Sequence, residues 1–187
     1  MPLVVSIVFV CLGIPLVVLA CGRRVLKDRI DPEDEAFAKA CGYLSYRQRS
    51  EREIIRYLDK RGYTAVREAV VARLTRAGLL DDRAFAATWI TERAGGHGYG
   101  ARRLRSELLR LGIDSDIIDE ILESTYPDDK EIERASDIAA RQWPKLSGKN
   151  PYDRGRKLYS FLIRRGFDGS TAKEAVDSLI RSAIGNN

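Results

Sequence analysis

Three stretches of the chain share one pattern of apolar and polar positions, and each pattern ends at a glycine. The stretches cover residues 51–63, 101–113 and 155–167, and the glycines are Gly62, Gly112 and Gly166. An aliphatic residue lies eight positions before each glycine, and a leucine lies four positions before it: Ile54, Leu104, Leu158, Leu58, Leu108 and Leu162. Residues four apart share one face of an α-helix. The pattern therefore predicts three short amphipathic helices, each ended by a glycine in the left-handed conformation.

The spacing of these glycines indicates a repeated structural unit. Consecutive glycines are 50 and 54 residues apart, at the upper end of the range of repeat architectures. A large apolar residue follows each glycine and can fold back onto the preceding helix: Tyr63, Ile113 and Phe167. One unit alone is too small to bury a comfortable core, so we expect neighbouring units to stack.

Helix-start signals divide each unit into three helices. Ser50 and Glu53 form a capping box, and a second box opens at Thr171. Further helix starts are predicted at Asp31–Pro32, Thr64, Asp81–Asp82, Asp114 and Pro127. The alternation and β-branched runs that predict strands are missing from the sequence. We therefore predict an all-α protein with three tandem three-helix modules, at residues 31–80, 81–126 and 127–184, preceded by an apolar leader at residues 1–24.

The leader allows three interpretations. It is nearly all apolar from residue 3 to residue 21, which is enough to span a bilayer, and Arg23–Arg24 after it would keep the modules in the cytoplasm. Alternatively, translation begins near Val25. The third interpretation is an exported protein with a lipobox-like sequence ending at Cys21. It is disfavoured because the apolar run lacks the preceding basic residues of a secretory signal. Both of the first two interpretations predict a cytoplasmic body, and only the first predicts a membrane tether.

Residue types that form most catalytic and metal sites are scarce. The three cysteines lack the paired spacing of a zinc site, and His97 is the only histidine. The glycine run from Gly95 to Gly100 has neither the preceding strand nor the following lysine of a P-loop, so we interpret it as a linker with His97 exposed. Asp81–Asp82 and Asp128–Asp129 lie at helix starts, where capping explains them. We therefore predict no enzyme activity, no metal and no cofactor.

Excess positive charge is concentrated in the last third of the chain. Residues 23–129 contribute nothing to the net charge of +5, because they hold 20 basic and 20 acidic residues. Residues 130–187 hold 12 basic and 7 acidic residues and so carry the whole excess. Since the apolar positions of the second helices of modules 2 and 3 face the core, most basic side chains there should point outward. The candidate partner-binding residues are Arg102, Arg103, Arg105, Arg154, Arg156, Lys157, Arg164 and Arg165. Such a strip suits an acidic protein surface or DNA phosphates.

Three segments of the sequence resemble the RecX family of regulators of the RecA recombinase. The densest is LSYRQRSERE at residues 44–53, which leads to LDKRGY at residues 58–63. The others are LTRAGLLDDRAFA at residues 74–86 and GARRLRSELLRLGI at residues 100–113. The third module is similar through its repeat pattern, so that the resemblance covers roughly residues 36–182.

The resemblance implies a curved, elongated and monomeric body of three modules without enzyme activity. It also implies RecA and the RecA–single-stranded-DNA filament as partners, with direct DNA contact as an additional expectation. Similar proteins lodge along the groove of the filament, damp its ATP hydrolysis and strand exchange, and so modulate DNA repair and the SOS response. Two other functions remain open from the residues alone: an independent DNA-binding helical protein, and a membrane-tethered helical scaffold that uses the leader.

Overall fold

The computed structural model describes residues 31–148 and 150–185, and within these ranges the chain forms nine α-helices and no β-strand. Module 1 contains α1 (Pro32–Leu44), α2 (Glu51–Asp59) and α3 (Arg67–Arg76). Module 2 contains α4 (Asp82–Glu92), α5 (Ala101–Leu111) and α6 (Ser115–Thr125). Module 3 contains α7 (Asp128–Gln142), α8 (Pro151–Arg165) and α9 (Gly169–Gly185). The predicted all-α fold of three-helix groups is confirmed.

Each module buries its own hydrophobic core. The aliphatic pairs that define the repeat are fully buried in α2, α5 and α8: Ile54, Leu58, Leu104, Leu108, Leu158 and Leu162. The residue after each glycine folds back as predicted, with Ile113 and Phe167 buried and Tyr63 half-buried. The three clusters of buried residues are separate from one another. Among the described residues, no cluster of buried residues therefore spans two modules.

Side chains cap four helices at the predicted residues. Asp31, Ser50, Asp81 and Asp114 each accept a hydrogen bond from a backbone N–H in the first turn of α1, α2, α4 and α6. Ser50 also forms the predicted capping box, because the Glu53 carboxylate accepts the Ser50 N–H in return. These caps satisfy N–H groups that have no acceptor within their own helix.

Two of the predicted helix starts are wrong. Thr64 does not cap α3, which begins only at Arg67 and has no side-chain cap. Thr171 is buried within the first turn of α9, and Asp168 caps that helix instead by accepting the Ser170 N–H at 3.0 Å. A hydroxyl residue before an apolar run thus resembles a cap in sequence, while the path of the chain decides which side chain reaches the free N–H groups.

Helix α8 begins four residues before the predicted repeat helix. Asn150 caps it by accepting the Asp153 N–H at 2.8 Å, and Pro151 occupies the first helical position, which suits the fixed φ of proline. Gly155 consequently lies inside α8 and is buried against α9. A Cβ at Gly155 would lie 2.6 Å from the Ile180 side chain, so this glycine permits the close packing of α8 on α9.

The glycine run in module 2 joins α4 to α5, as predicted for a linker, but its first part is helical and its last part packs against module 3. Residues Arg93–His97 form a π-helical turn that continues α4. Gly98 has a φ of 62°, and a Cβ there would lie 2.7 Å from the Ile138 side chain of module 3. His97 is exposed, as predicted, while its backbone carbonyl accepts a hydrogen bond from Arg165. Gly98 and Gly100 therefore let module 2 approach module 3 closely, whereas Gly95 and Gly96 are exposed.

The leader lies outside the described residues, so its three interpretations remain predictions. Among residues 31–148 and 150–185, no helix is both long and apolar enough to cross a membrane. The hydrophobic cores of the three modules are formed by residues from Ala36 to Val176.

Candidate partner-binding surface

The glycine-ended helices α2, α5 and α8, here called the repeat helices, meet end to end. The first residues of α5 lie against the C-terminus of α8, and the first residues of α2 lie against the C-terminus of α5. Backbone groups at helix ends have no partner within their own helix. At each junction the end of one repeat helix supplies acceptors for the start of the next, so the three modules share one directional series of helices.

The junction between modules 2 and 3 is made by backbone hydrogen bonds. The Gly100 N–H donates to the carbonyl of Arg165 at 2.9 Å, and the Arg102 N–H donates to the carbonyl of Gly166 at 3.1 Å. Such bonds fix the distance between two backbones, because neither partner has a flexible side chain. A Cβ on Gly100 would lie 2.5 Å from the Gly166 carbonyl, so a side chain at residue 100 would push the modules apart.

The junction between modules 1 and 2 repeats this arrangement with a side chain in place of a backbone donor. The Ser50 hydroxyl donates to the Leu111 carbonyl at the end of α5, at 2.6 Å. Gly112 then lies against Arg52, and a Cβ on Gly112 would be 2.4 Å from Arg52 Cδ. Ser50 therefore caps its own helix and also joins two modules.

A carboxylate from the next module supports each of these helix starts. The Asp82 side chain of α4 accepts the Glu51 N–H at 2.9 Å, and the buried Glu131 of α7 accepts the Ala101 N–H at 3.1 Å. Negative charge is favourable at the N-terminus of a helix. Burial raises the pKa of Asp82, although the hydrogen bond from the Glu51 N–H acts in the opposite direction. Both junctions thus use the same device at equivalent positions.

Half of the predicted binding residues are exposed: Arg102, Arg156, Lys157 and Arg164. The Arg102 side chain is 70% exposed, and its Nε lies 3.5 Å from the Asp168 carboxylate. A hydrogen bond from the Ser170 hydroxyl holds the pKa of Asp168 below its usual value, and Arg102 acts in the same direction. The Arg156 side chain is 83% exposed and contacts Asp153 at 2.6 Å. Exposed pairs of this kind are weak, so both guanidinium groups remain available to an external anion.

The other half are held in contacts within the protein: Arg103, Arg105, Arg154 and Arg165. The Arg103 guanidinium lies 3.8 Å from the centre of the Tyr99 ring, and its Nε is 3.1 Å from Glu107. Arg154 donates to the Trp143 carbonyl at 2.7 Å and stacks on the Trp143 ring. The expectation that most of the eight side chains point outward therefore holds for only half of them.

Two of these internal contacts join different segments of the chain, and one of them lies at the junction of modules 2 and 3. Arg105 forms an ion pair with Asp119, which links α5 to α6 within module 2. Arg165 donates to the His97 carbonyl and holds the glycine run of module 2 against the C-terminus of α8. Loss of the Arg165 contact would disturb the junction on which Arg102 and Arg164 lie, so Arg165 is a positioning residue for this surface.

A third group of cations lies on module 1, where the sequence analysis assigned no binding residue. Arg56 on α2, and Lys60 and Arg61 just after its end, are exposed beside the stacked rings of Tyr43 and Tyr57. A signal for them was present, because α2 is the first copy of the same repeated basic helix. The even charge balance of residues 23–129 concealed it, since the acids of module 1 pair with other cations.

The exposed cations suit carboxylate and phosphate ligands. Arginine presents a planar fork of N–H donors that can bind two oxygens of one anion. All three repeat helices contribute at least one exposed arginine, at Arg56, Arg102 and Arg164. Each of the three modules therefore presents an exposed arginine to an external anion.

Models of the RecX family match the chain in three consecutive parts. The model of the first three-helix domain matches residues 36–74, the second residues 81–122 and the third residues 128–176. These three ranges follow the three groups of helices in the structure.

Curated relatives and solved structures agree with this result. The regulatory protein RecX of Chlorobium phaeobacteroides is 38% identical over 154 residues, which cover 81% of this chain and 99% of that protein. The regulatory protein RecX of Mycobacterium leprae is 34% identical over 148 residues, which cover 78% of this chain and 86% of that protein. The crystal structure of RecX from Lactobacillus salivarius has a TM-score of 0.71 at 20% identity, covering 80% of this chain and 97% of that one. A second RecX crystal structure has a TM-score of 0.70 at 23% identity, and the match covers 88% of this chain and 80% of that one. The chain therefore belongs to the RecX family of regulatory proteins.

Proposed function

We propose that this protein regulates the RecA recombinase by binding the RecA–single-stranded-DNA filament, and that it acts by occupancy without catalysing a reaction. The observation that carries the proposal is the match of all three modules to consecutive RecX domains, together with relatives named regulatory protein RecX. The exposed arginines along the repeat helices support it, because a nucleoprotein filament presents phosphates and carboxylates over a long distance.

The expected effect is inhibition of RecA. A ligand shifts an equilibrium toward the state it binds more tightly, so a body that contacts several filament subunits at once would hold them in one arrangement. ATP hydrolysis and strand exchange would then slow, and recombination, DNA repair and the SOS response would be modulated. The protein would act in the cytoplasm, attached to the inner membrane only if residues 1–24 form an anchor.

The test is RecA ATP hydrolysis on single-stranded DNA with increasing amounts of this protein. We compare the wild type with the double variant Arg156→Glu/Arg164→Glu, whose side chains are exposed on α8. The matched control is Arg141→Glu/Arg181→Glu, which makes the same change of charge at exposed positions of α7 and α9 in the same module. We expect the α8 variant to need at least about ten times more protein for half-inhibition, and the control to behave like the wild type.

Two results would contradict the proposal in different ways. A wild-type protein that leaves RecA ATP hydrolysis unchanged would refute the regulation of RecA. Equal loss of inhibition in the α8 variant and in the control would refute the role of the α8 surface. Circular dichroism of each variant checks folding, since substitutions at exposed positions usually change stability by less than about 0.5 kcal/mol.

A pull-down separates this function from independent DNA binding. Residues 25–187 are mixed with RecA–single-stranded-DNA filaments or with the same DNA alone. A filament regulator is retained better by the filament, whereas an independent DNA-binding protein is retained equally by both, with a steep dependence on salt.

A further inference from the structure

Module 1 carries an open groove of about 740 Å³ that is lined by tyrosines and cations. We infer that this groove is a binding site for single-stranded DNA, with Tyr46 as the stacking residue for a base and Arg56, Lys60 and Arg61 as contacts for phosphates. The inference rests on the proposed function, because it assigns the DNA strand of the filament to a particular module. The six-residue segment between α1 and α2 supplies Tyr46. Arg56 lies on α2, and Lys60 and Arg61 directly follow its last residue.

The aromatic wall of the groove is already stacked. The rings of Tyr43 and Tyr57 are 4.0 Å apart and nearly parallel, with 12° between their planes. The Arg49 guanidinium lies 4.0 Å from the centre of the Tyr43 ring, and the Arg61 guanidinium lies 3.9 Å from the centre of the Tyr57 ring. Since the inner ring faces cover each other, the two guanidinium groups must occupy the outer faces. The result is a stack of four planar groups.

Tyr46 differs from these tyrosines because its ring is open. It lines the same groove and is 85% exposed. Among the described residues it takes part in no ring stacking and no cation–π contact, since the contacts of these kinds all involve other rings. Stacking of successive bases on aromatic side chains beside a positive groove is the usual mode of single-strand binding.

The charge of the groove favours a polyanion. Its one acidic residue, Glu53, is engaged by Arg47 at 2.6 Å. Burial alone would raise the pKa of Glu53, but hydrogen bonds from Arg47 and from the Ser50 N–H outweigh it and lower the pKa. Within the described part of the chain, the ion pairs leave out Arg56, Lys60 and Arg61. Three exposed cations therefore face the solvent without a carboxylate partner.

A single strand fits these features better than a duplex or an acidic peptide. The π-face of a base is accessible only when the base is unstacked, as in single strands. A peptide carboxylate would use the cations, but it would leave the open ring of Tyr46 without a role. Arg61 can move from the Tyr57 ring to a phosphate, since it is exposed at the end of the stack.

The experiment measures binding of the full-length chain to fluorescein-labelled oligothymidylate of about 25 nucleotides, a length above the usual site size for single strands. Fluorescence anisotropy gives Kd at several salt concentrations. We expect Tyr46→Ala to weaken binding at least about five-fold, because stacking on one aromatic side chain contributes that much or more. Tyr46→Phe keeps the ring and should stay within about two-fold of the wild type.

The cations are tested through the salt dependence of Kd. Arg61→Ala should reduce the slope of log Kd against log salt by about 0.7, the value for one phosphate contact on a single strand. The matched control is Arg76→Ala, which removes the same charge at an exposed position on α3 of the same module, and it should leave the slope unchanged. A further readout is Tyr46→Trp, whose added emission should be quenched by oligothymidylate.

Three results would overturn the inference. Tyr46→Ala with the affinity of the wild type would show that no base stacks there. Equal slopes for Arg61→Ala and Arg76→Ala would show attraction by overall charge only. Variants that bind oligothymidylate normally but lose RecA filament binding would show that the groove meets protein rather than DNA. A wild type that binds oligothymidylate through Tyr46 without affecting RecA would instead refute the proposed function and keep the site.

Discussion

Substitution of Gly166 by alanine tests the end-to-end contact of the repeat helices. Gly166 has a φ of 89°, and a Cβ there would lie 2.3 Å from Arg103 Cβ and 2.5 Å from Arg103 N. Real Cβ contacts are not this short, and a backbone nitrogen in α5 cannot move aside alone. Gly166→Ala must therefore separate α5 from α8 or distort one of them.

The chain contains a matched control for the conformational part of this effect. Gly62 has a φ of 82° at the equivalent position of module 1, but a Cβ there would meet no atom within 4 Å. The left-handed conformation destabilises an alanine by about 1–2 kcal/mol relative to a glycine. Replacing glycine also reduces the conformational freedom of the unfolded chain, which stabilises the folded state by about 0.4–1 kcal/mol. We therefore expect Gly62→Ala to lower the free energy of unfolding by about 1 kcal/mol.

Gly166→Ala should add the cost of a broken junction. The two backbone hydrogen bonds made to Arg165 and Gly166 are each worth about 0.5–1.5 kcal/mol, so the total loss should be about 2–4 kcal/mol. Gly112→Ala should lie between the other two variants, because its Cβ would meet the Arg52 side chain, which can partly move.

The free energies come from urea denaturation followed by circular dichroism and by tryptophan emission. The two tryptophans, Trp89 and Trp143, lie in modules 2 and 3, so emission reports on the two modules that share the Gly166 junction. If Gly166→Ala and Gly62→Ala differ by less than about 0.5 kcal/mol, which is the usual error of such comparisons, the close approach of α5 and α8 does not constrain residue 166.

Three further predictions concern the core, the leader and a buried tyrosine. Leu108→Ala should lower the free energy of unfolding by about 2–5 kcal/mol because the side chain is fully buried. Leu109→Ala should lower it far less, since Leu109 is 46% exposed. Equal losses in urea denaturation would mean that the buried face of α5 was wrongly assigned. Deletion of residues 1–24 should leave a folded and fully active regulator, and aggregation or loss of RecA inhibition would show that the leader belongs to the working structure. Burial raises the pKa of Tyr126 to about 12, so the unfolded chain, with a tyrosine pKa of about 10, loses its proton first. The stability that Tyr126 contributes should thus be complete below about pH 10 and lost as the pH rises toward 12. An absorbance titration should show a phenol that ionises at high pH and is missing from Tyr126→Phe. Identical titration curves for the wild type and Tyr126→Phe above pH 10 would contradict this.

Local patterns in the sequence were sufficient for the helices and for the core. The spacing of Leu104 and Leu108 before Gly112 requires only that a helix has one buried face, and the structure buries both leucines. The start of α9 was predicted at Thr171, whereas the path of the chain after Phe167 brings the Asp168 carboxylate to the Ser170 N–H, so that Asp168 caps the helix.

The junctions between modules depend on contacts across long sequence distances, which a single sequence does not reveal. Gly100 was interpreted as part of a linker. Its contact with Gly166 joins residues 66 positions apart, and no local pattern in the sequence indicates such a contact. Arg103 and Arg102 are neighbours on one basic helix, yet one stacks on Tyr99 and the other is exposed. Net charge likewise hid the cations of module 1, because it sums over residues without regard to their partners.

The order of the repeat helices gives the protein a polarity. Each junction joins the C-terminus of one helix to the N-terminus of the next in the sequence α8, α5, α2, so turning the molecule end for end does not reproduce the same array of charges. A polynucleotide strand is also polar, with distinct 5′ and 3′ directions. Two polar objects that match over several repeats fit in one relative orientation and fail to fit in the other. Binding along such a strand would therefore place every copy of the protein in the same sense, with module 1 always toward the same end of the DNA.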